Sequence, residues 1–199
     1  MVTKTIMLDN LRKYKILLAS KSPRRHELLS QLRIPFSIIT MGGIDETYPD
    51  NIPSEEIPIY LANKKCDAYM AKLDDDNLII TADTLVIYDN KALGKPKGRE
   101  EAIEMLTQLS GKVHKVVTGV SICTTIKRTT FSVCTEVKFA EISAKDIAYY
   151  VDNFMPYDKA GAYGIQEWIG YIGVEWIKGS FFNVMGLPVH QLYVELKNF

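Results

Sequence analysis

An aspartate in the middle of an apolar run is the first residue whose position suggests chemistry. Residues 77–88 read NLIITADTLVIY, and Asp83 interrupts an otherwise nearly continuous series of aliphatic and β-branched side chains. Such a series is typical of a strand that is buried on both faces. Because removing an unpaired carboxylate from water is costly, we expect Asp83 to face a cleft, a cation or a metal ion, with a structural ion pair as the alternative.

Two arginines stand where a helix favours acidic residues. Residues 15–29 read KILLASKSPRRHELL, which predicts a short strand, a turn, and a helix that begins at Pro23 with Ser22 as its cap. The first turn of a helix has free N–H groups and partial positive charge, yet Arg24 and Arg25 occupy it. Together with the serine hydroxyls, these groups predict a cradle for phosphate or polyphosphate. The alternative is that both arginines are solvated.

Three lysines also lie in unusual places. A helix is predicted to open at residues 53–56, and helical spacing sets Lys64 and Lys65 close beside its apolar stripe. They either serve a ligand or extend their ammonium groups from the edge of the stripe into water. Lys95 belongs to a stiff GKP loop just past a predicted hairpin, from which it could reach a phosphate.

Two predicted loops complete the candidate set. Residues 41–51 form a loop that contains the acidic pair Asp45 and Glu46. Residues 158–166 read DKAGAYGIQ, in which small residues separate polar and aromatic ones. Close approach of the backbone to a ligand would explain the small residues, and a plain tight loop would explain them almost as well.

Composition limits the classes of protein that this chain can represent. With 199 residues, 47% of them hydrophobic, the chain suits one large domain or two closely joined lobes with a real core. Its 24 basic and 24 acidic residues give zero formal charge, so there is no general attraction to nucleic acid or to an acidic membrane. Positive charge at a binding site must therefore be local.

Cysteine usage and the first residues favour the cytoplasm. The three cysteines, Cys66, Cys123 and Cys134, are odd in number and lack C-x-x-C spacing, which predicts reduced thiols rather than a disulfide framework or zinc site. Residues 1–14 are interrupted by charges and contain no continuous apolar segment. They therefore resemble neither a signal peptide nor a membrane span.

The predicted elements alternate between strands and helices from a βαβ start. His114 opens one predicted strand and has no evident partner, so we place it at the surface or at the edge of the core. Ser143 and Asp146 form a capping box. After the first strand and helix, the remaining strands are predicted at residues 36–39, 77–88, 114–123, 129–139 and 171–178, and the remaining helices at residues 53–68, 100–109, 143–155 and from 186 onward, with turns at 125–128 and 179–183.

Seven motifs in order resemble those of the Maf family of nucleoside triphosphate pyrophosphatases. They are LLASKSPRR, the acidic pair at 45–46, TADTLV, GKP, LSGKVHKVVTG, DKAGAYGIQ and GSFFNVMGLP, and they extend over residues 16–196. The resemblance implies a single Maf-like α/β domain over residues 1–199, of the inosine-triphosphate-pyrophosphatase type, with an elongated mixed sheet, flanking helices and a central cleft between two lobes. It also implies hydrolysis of a nucleoside triphosphate to the monophosphate and pyrophosphate with a divalent metal, Mg²⁺ or Mn²⁺.

The resemblance further implies a role for each candidate residue. It selects Lys65 over Lys64 as the functional helix lysine and makes Asp83 a general base or metal partner. The full set is Ser22, Arg24 and Arg25 for the phosphates, Glu46 and Asp83 for the metal, Lys65 and Lys95 beside them as catalytic cations, and Gln166 closing the site.

Similarity of DKAGAYGIQ to the dTTP- and UTP-hydrolysing branch implies a pyrimidine substrate. The chain departs from the pattern at Glu167 and Trp168, since relatives usually continue from the glutamine with glycine. Two other readings remain open: a nucleotide-binding regulator of cell division with little turnover, and a purine pyrophosphatase of the inosine triphosphate type. Family relatives also imply a possible homodimer.

Overall fold

A computed structural model describes residues 8–70 and 74–199, which form a mixed sheet flanked by helices. The strands are β1 (Lys15–Ala19), β2 (Ser37–Ile39), β3 (Asn77–Tyr88), β4 (Lys91–Leu93), β5 (Val113–Cys123), β6 (Arg128–Phe139) and β7 (Val174–Lys178). The helices are α1 (Pro23–Gln31), α2 (Ile57–Met70), α3 (Arg99–Leu109), α4 (Ala144–Phe154), α5 (Trp168–Gly173), α6 (Phe181–Met185) and α7 (Val189–Asn198). Short 3₁₀ turns span Asp9–Leu11 and Ala160–Ala162. None of the helices in these two described ranges is long and apolar enough to cross a membrane.

The order of the strands places β3 near the middle of the sheet. The order is β2-β1-β3-β5-β6-β7, and β4 pairs with the end of β3. β1 is parallel to both β2 and β3, which confirms the predicted βαβ start, whereas the pairs β3–β5, β5–β6 and β6–β7 are antiparallel. In this register Asp83 lies opposite Gly119 of β5.

Gly119 allows α2 to lie directly on the sheet beside Asp83. A Cβ atom at Gly119 would be 2.3 Å from the backbone nitrogen of Ile59 on α2. Any larger residue would therefore push the helix away from β3 and β5, the strands on which it packs. Because Lys65 lies less than two turns beyond Ile59, the close approach brings the lysine side chain to the carboxylate.

The apolar core has two main clusters that meet near the middle of β3. One contains Ala82 and packs α1 and α7 against β1, β3 and β5. The other contains Val86 and packs α3 and α4 against β5 and β6. Asp83 lies between these two positions along the strand, but alternation turns its side chain to the opposite face, where α2 packs, between the smaller clusters that contain Ile79 and Leu85.

Most of the predicted elements are confirmed, including the hairpin between β5 and β6. The capping box of α4 is also confirmed, since Ser143 Oγ accepts a hydrogen bond from the Asp146 N–H (3.1 Å). Gly111 follows α3 with a φ of 69°, as expected for a residue that ends a helix. The interpretation of residues 1–14 concerns a segment whose first seven residues lie outside the described ranges.

The prediction is wrong between residues 171 and 183. Residues 171–173 complete α5 instead of opening a strand, and residues 181–183 open α6 instead of forming a turn. α5 packs tightly on the preceding loop, because a Cβ at Gly170 would be 1.8 Å from the Ile165 carbonyl oxygen. α6 is capped by Ser180, whose Oγ accepts from the Asn183 N–H (3.2 Å). Both helices are too short to show apolar periodicity.

His114 is a buried, hydrogen-bonded residue, which corrects the prediction of a histidine without a partner at the surface or core edge. It is only 2% exposed, and its Nε2 lies 2.7 Å from the Tyr163 hydroxyl. Burial lowers the pKa of His114 to about 4. The partner comes from the loop at residues 158–166, 49 residues later, so local spacing could not reveal it.

The cysteine prediction is wrong for two of the three residues. Cys66 on α2 and Cys123 at the end of β5 are joined in a disulfide, with their Cα atoms 6.9 Å apart. Both are fully buried, and 57 residues separate them in sequence, so the docking of α2 on the sheet brings them together. Cys134 is a free, exposed thiol, as predicted.

Candidate active site

The candidate residues surround one cleft at the middle of β3. Two adjoining cavities form it, and they share Ser22, Arg24, Arg25, Lys65, Lys95 and Asp158. The first is also lined by Asp83 and Gln166, and the second by Glu46. The structure therefore brings together all eight residues that the sequence singled out.

Lys65 lies between the two acidic candidates. Its Nζ is 2.5 Å from Asp83 Oδ1 and 2.9 Å from Glu46 Oε1. Asp83 thus faces both a cleft and a cation, and the side chains of Lys65 and Asp83 are largely buried. Burial opposes ionisation of Glu46, but the hydrogen bond and charge of Lys65, helped by Lys95 and Arg25, hold the pKa of Glu46 below its ordinary value.

Arg25 is not a solvated residue, because its guanidinium is used to hold the backbone around Asp83. It donates from Nη1 to the Ala82 carbonyl (2.9 Å) and from Nη2 to Thr84 Oγ1 (2.9 Å), one residue on each side of Asp83. Its Nε donates to the Gly186 carbonyl (2.7 Å). Burial lowers the pKa of Arg25, although the Asp83 charge opposes this. Since an arginine has five N–H groups, some remain available for a phosphate.

Arg24 begins a chain of charged groups that crosses the cleft. Its Nη1 donates to Asp158 Oδ2 (2.9 Å), and Lys159 Nζ donates to Asp158 Oδ1 (2.8 Å) and contacts Glu167 Oε1 (3.0 Å). Burial raises the pKa of Asp158, but the bonds from Lys159 and Arg24 outweigh it and leave that pKa below its ordinary value. The chain continues to Tyr150, whose hydroxyl donates to Glu167.

The series of contacts that begins at Arg24 ends on the backbone of the loop that carries Gln166. The Gly164 N–H donates to the Tyr150 hydroxyl (3.0 Å), two residues before Gln166. Burial, together with the hydrogen bond to Glu167, raises the pKa of Tyr150, so its hydroxyl remains a proton donor. One hydrogen-bonded network therefore connects Arg24, at the start of α1, with the loop that carries Gln166.

Sequence reasoning missed the partners within this network. Asp158 and Lys159 stand in the DKAGAYGIQ motif, but only their small neighbours attracted attention. Lys159 is 8% exposed, and a buried lysine has no local sequence signal when its partners lie on other segments. Thr84 was missed because a threonine in a strand is unremarkable.

Small residues in the 158–166 loop are explained by packing within the protein. Gly161 has a φ of 66°, and a Cβ there would be 2.8 Å from Val86 Cγ2 of β3. A Cβ at Gly164 would be 2.8 Å from Cδ of Glu167. The tight loop therefore accounts for Gly161, whereas Gly164 also lines the first cavity, so close approach of a ligand stays open there.

Ser22 and Gln166 each offer the cleft a polar group. Ser22 precedes α1, but its hydroxyl makes no capping hydrogen bond, which corrects the predicted cap. Its N–H instead donates to Ser20 Oγ (3.1 Å). Gln166 Oε1 is buried and has no hydrogen-bond partner within residues 8–70 and 74–199. A buried acceptor without a donor is costly, and because Gln166 lines the first cavity, a group bound there could supply the missing N–H.

Glu46 and Asp83 are the acidic groups that could hold a cation in the cleft. Within the described ranges, no three His, Cys, Asp or Glu side chains converge into a metal cage built by the protein alone. Mg²⁺ is usually held by one or two carboxylates together with substrate phosphates. Two carboxylates that converge on the Lys65 ammonium group supply donors that fit this pattern.

Comparison with known proteins gives a consistent result over the whole chain. The Maf-like protein family matches residues 15–199. The dTTP/UTP pyrophosphatase of Parabacteroides distasonis is 58% identical over 193 residues, covering 97% of this chain and 100% of that protein. The dTTP/UTP pyrophosphatase of Phocaeicola vulgatus is 56% identical over 191 residues, covering 96% and 99%.

A solved structure extends the comparison to the fold. A HAM1 protein from Coxiella burnetii superposes with a TM-score of 0.50 at 14% identity, covering 94% of this chain and 100% of that one. This likeness confirms the predicted α/β fold class and, at such low identity, concerns the fold alone. The family match and the full-length relatives at more than half identity establish that the chain belongs to the Maf family.

Proposed function

We propose that this protein hydrolyses dTTP and UTP to the nucleoside monophosphate and pyrophosphate, the activity named for its relatives. One observation carries the proposal: Lys65 lies between Glu46 and Asp83 in a cleft that Arg24 and Lys95 also line. A triphosphate has about four negative charges, and its cleavage adds charge to the leaving pyrophosphate. Several cations beside a carboxylate match this requirement.

The cationic side chains bind and orient the triphosphate. Arg24 reaches the cleft from the first turn of α1, Lys95 from the loop after β4, and Lys65 from α2. Ser22 adds a hydroxyl beside the N-terminus of α1, where free N–H groups favour an anion. Arg25 contributes its remaining N–H groups while holding the backbone on both sides of Asp83.

Asp83 acts as the general base in this mechanism. Its carboxylate takes a proton from a water molecule, and the water oxygen forms a bond to the α-phosphorus. The bond from the α-phosphorus to the oxygen that bridges to the β-phosphorus breaks, and the electron pair leaves with pyrophosphate. The hydrogen bond from Lys65 fixes the direction of the Asp83 carboxylate, and Lys65, Lys95 and Arg24 stabilise the charge that develops on the leaving group.

The proposal includes a divalent cation, Mg²⁺ or Mn²⁺, which Glu46 and Asp83 would hold. When bound, such a cation neutralises charge on the triphosphate oxygens. Its requirement is tested by dialysing the protein against a chelator and measuring pyrophosphate release before and after adding back each metal. Activity that remains unchanged in the chelator would contradict this part of the proposal.

Gln166 gives a physical reason for a base with a ring N–H, which among the pyrimidines means thymine or uracil. Its buried Oε1 lacks a donor from the described residues. Thymine and uracil both present an N3–H donor, whereas N3 of cytosine is an acceptor. Cytosine can offer the carbonyl only its exocyclic N4 amino group, which projects from a different position than the ring N–H, so we expect dCTP to be a poorer substrate.

A panel of triphosphates tests the whole proposal. Pyrophosphate release is measured with dTTP, UTP, dCTP, ITP and 7-methyl-GTP at equal concentration with Mg²⁺. We expect dTTP and UTP to give the highest kcat/KM. Binding of dTTP without turnover would favour the nucleotide-binding regulator, and faster turnover of ITP would favour the purine enzyme.

The proposal also includes a homodimer and a cytoplasmic location. A homodimer is tested by size-exclusion chromatography with light scattering. A cytoplasmic location no longer has support from three reduced cysteines, since Cys66 and Cys123 are joined. Cell fractionation with an antibody to this chain tests it.

A further inference from the structure

We propose that Lys64 is a positioning residue that holds Glu46 in the cleft by anchoring the two residues on either side of it to α2. The sequence left Lys64 as the mere neighbour of Lys65. The inference deepens the proposed function and rests on it in one respect, namely that Glu46 takes part in the reaction. The anchoring itself is independent of any activity.

Lys64 makes three hydrogen bonds to the acidic loop. Its Nζ donates to Asp45 Oδ2 (2.7 Å), to the Thr47 carbonyl (2.8 Å) and to Thr47 Oγ1 (3.2 Å). Asp45 and Thr47 are also joined to each other, since Asp45 accepts from the Thr47 N–H (2.9 Å) and from the Thr47 hydroxyl (2.8 Å). Lys64 thus binds a small preformed turn with Glu46 at its centre.

The loop has few other polar attachments near Glu46. Ile44 packs on an apolar cluster at one end, and Ile52 packs on another beyond the other end. In the part of the chain that the structure describes, one local bond joins residues 45–51 to the next residue, from the Ile52 N–H to the Pro49 carbonyl (3.2 Å), and the other hydrogen bonds and ion pairs that join them to the rest of the protein come from Lys64 and Lys65. Lys64 is therefore the main polar anchor that keeps the loop against α2.

Helix geometry explains why the adjacent residues Lys64 and Lys65 contact different groups. Consecutive residues on a helix point about 100° apart, so Lys64 and Lys65 cannot face the same way. Lys65 points into the cleft toward Glu46 and Asp83, whereas Lys64 lines neither cavity of the cleft. The contacts of the loop follow the same pattern, since Asp45 and Thr47 contact Lys64 while Glu46, between them, contacts Lys65.

The contacts within the turn fix the position of the Asp45 carboxylate before Lys64 reaches it. One of its oxygens accepts from the Thr47 N–H, and the other accepts from the Thr47 hydroxyl and from Lys64. A loop that carries a site residue gains precision when its neighbours are fixed in this way, since small displacements of a reacting group are costly.

The first test measures the loop directly. Residues 41–56 contain no lysine or arginine, so trypsin does not cut there, but a glutamate-specific protease can cut after Glu46. Lys64→Met keeps the aliphatic stem and removes the ammonium group. We expect cleavage of the bond between Glu46 and Thr47, followed by mass spectrometry, to be at least about fivefold faster than in the unaltered protein.

The second test asks whether Lys64 acts through Glu46. With dTTP as substrate, Lys64→Met should lower kcat about tenfold, and Lys64→Arg should restore most of the loss. In a Glu46→Gln background, Lys64→Met should cause no further loss, because the group that it positions is already gone. A residue that touched the substrate itself would still lower kcat in that background.

The matched control is Lys115→Met. Lys115 forms a comparable exposed ion pair with Glu55 (2.6 Å) and lines neither cavity of the cleft, so both readouts should match the unaltered protein. Unchanged cleavage after Glu46 in Lys64→Met, or losses that add in the double variant, would overturn the inference. If the unaltered protein releases no pyrophosphate, the proposed function fails, while the cleavage assay still decides whether Lys64 anchors the loop.

Discussion

Replacing Asp83 by asparagine removes one negative charge from the cleft while almost preserving the size of the side chain. The amide can still accept a hydrogen bond from Lys65, whose Nζ lies 2.5 Å from Asp83 Oδ1 in the unaltered protein. Lys65 also keeps Glu46 as a charged partner. We therefore expect the variant to fold, with a loss of about 1–3 kcal/mol in the free energy of unfolding, the range for a weakened hydrogen bond to a charged group.

The effect on catalysis should be much larger than the effect on stability. Loss of a general base lowers turnover by about 100- to 10,000-fold, or about 2.7–5.4 kcal/mol in activation free energy. Arg24, Lys65 and Lys95 remain in the cleft, and saturating Mg²⁺ offsets the carboxylate that the proposed metal site loses, so KM for dTTP should change little under these conditions. The loss should therefore appear in kcat, measured as pyrophosphate release at saturating dTTP.

Two further measurements make this prediction decisive. Circular dichroism and a urea titration show whether the variant is folded, and Asp152→Asn is the matched control, since Asp152 forms an exposed ion pair with Arg99 (2.6 Å) away from the cleft. The control should retain normal turnover. Turnover of a folded Asp83→Asn variant within about threefold of the unaltered protein would refute the assignment of Asp83 as the base.

The remaining predictions concern the groups around Asp83 and the buried histidine. Arg25→Lys should lower kcat and destabilise the fold by about 1–3 kcal/mol, because a lysine cannot reproduce the three-way contact with Ala82, Thr84 and Gly186; urea titration and turnover check this. Lys159→Met should raise KM for dTTP, measured by pyrophosphate release, since it breaks the connection between Asp158 and Glu167. The pKa of His114 is about 4 when folded and about 6.5 when unfolded, so the unfolded state binds more protons between these values, and stability falls as pH decreases. Urea titrations at pH 7 and pH 5 should differ by about 2 kcal/mol more in the unaltered protein than in His114→Gln.

The sequence predicted the parts of this protein that depend on local pattern. Strands β3, β5 and β6 and helices α3 and α4 have long apolar runs or clear periodicity, and their positions are confirmed, whereas α2 is confirmed as a helix but begins at Ile57, after turns at residues 54–56. α5 and α6 were missed because they are held by the contact of Gly170 with Ile165 and by the Ser180 cap. Such contacts depend on segments that only the fold brings together.

The candidate site was predictable where a residue violated a local rule. Asp83 in an apolar strand and arginines at a helix start are visible anomalies, and the structure places them around one cleft. The same reasoning could not assign Arg25 to the carbonyl groups of Ala82 and Gly186, which are 57 and 161 residues away in sequence. Anomalies therefore indicate which residues are unusual, whereas their partners follow only from the fold.

Glu167 shows how a departure from the family pattern is balanced within the same loop. The resemblance implies glycine after Gln166, and this chain has a glutamate whose side chain is only 21% exposed. A carboxylate in such a position needs partners, and Lys159 and Tyr150 provide them. Because Lys159 also holds Asp158, the partner of Arg24, the charge of Glu167 belongs to the network that reaches the start of α1. Glu167 therefore helps to hold the loop next to Gln166, and Gln166 itself stays at the position that the family pattern gives it.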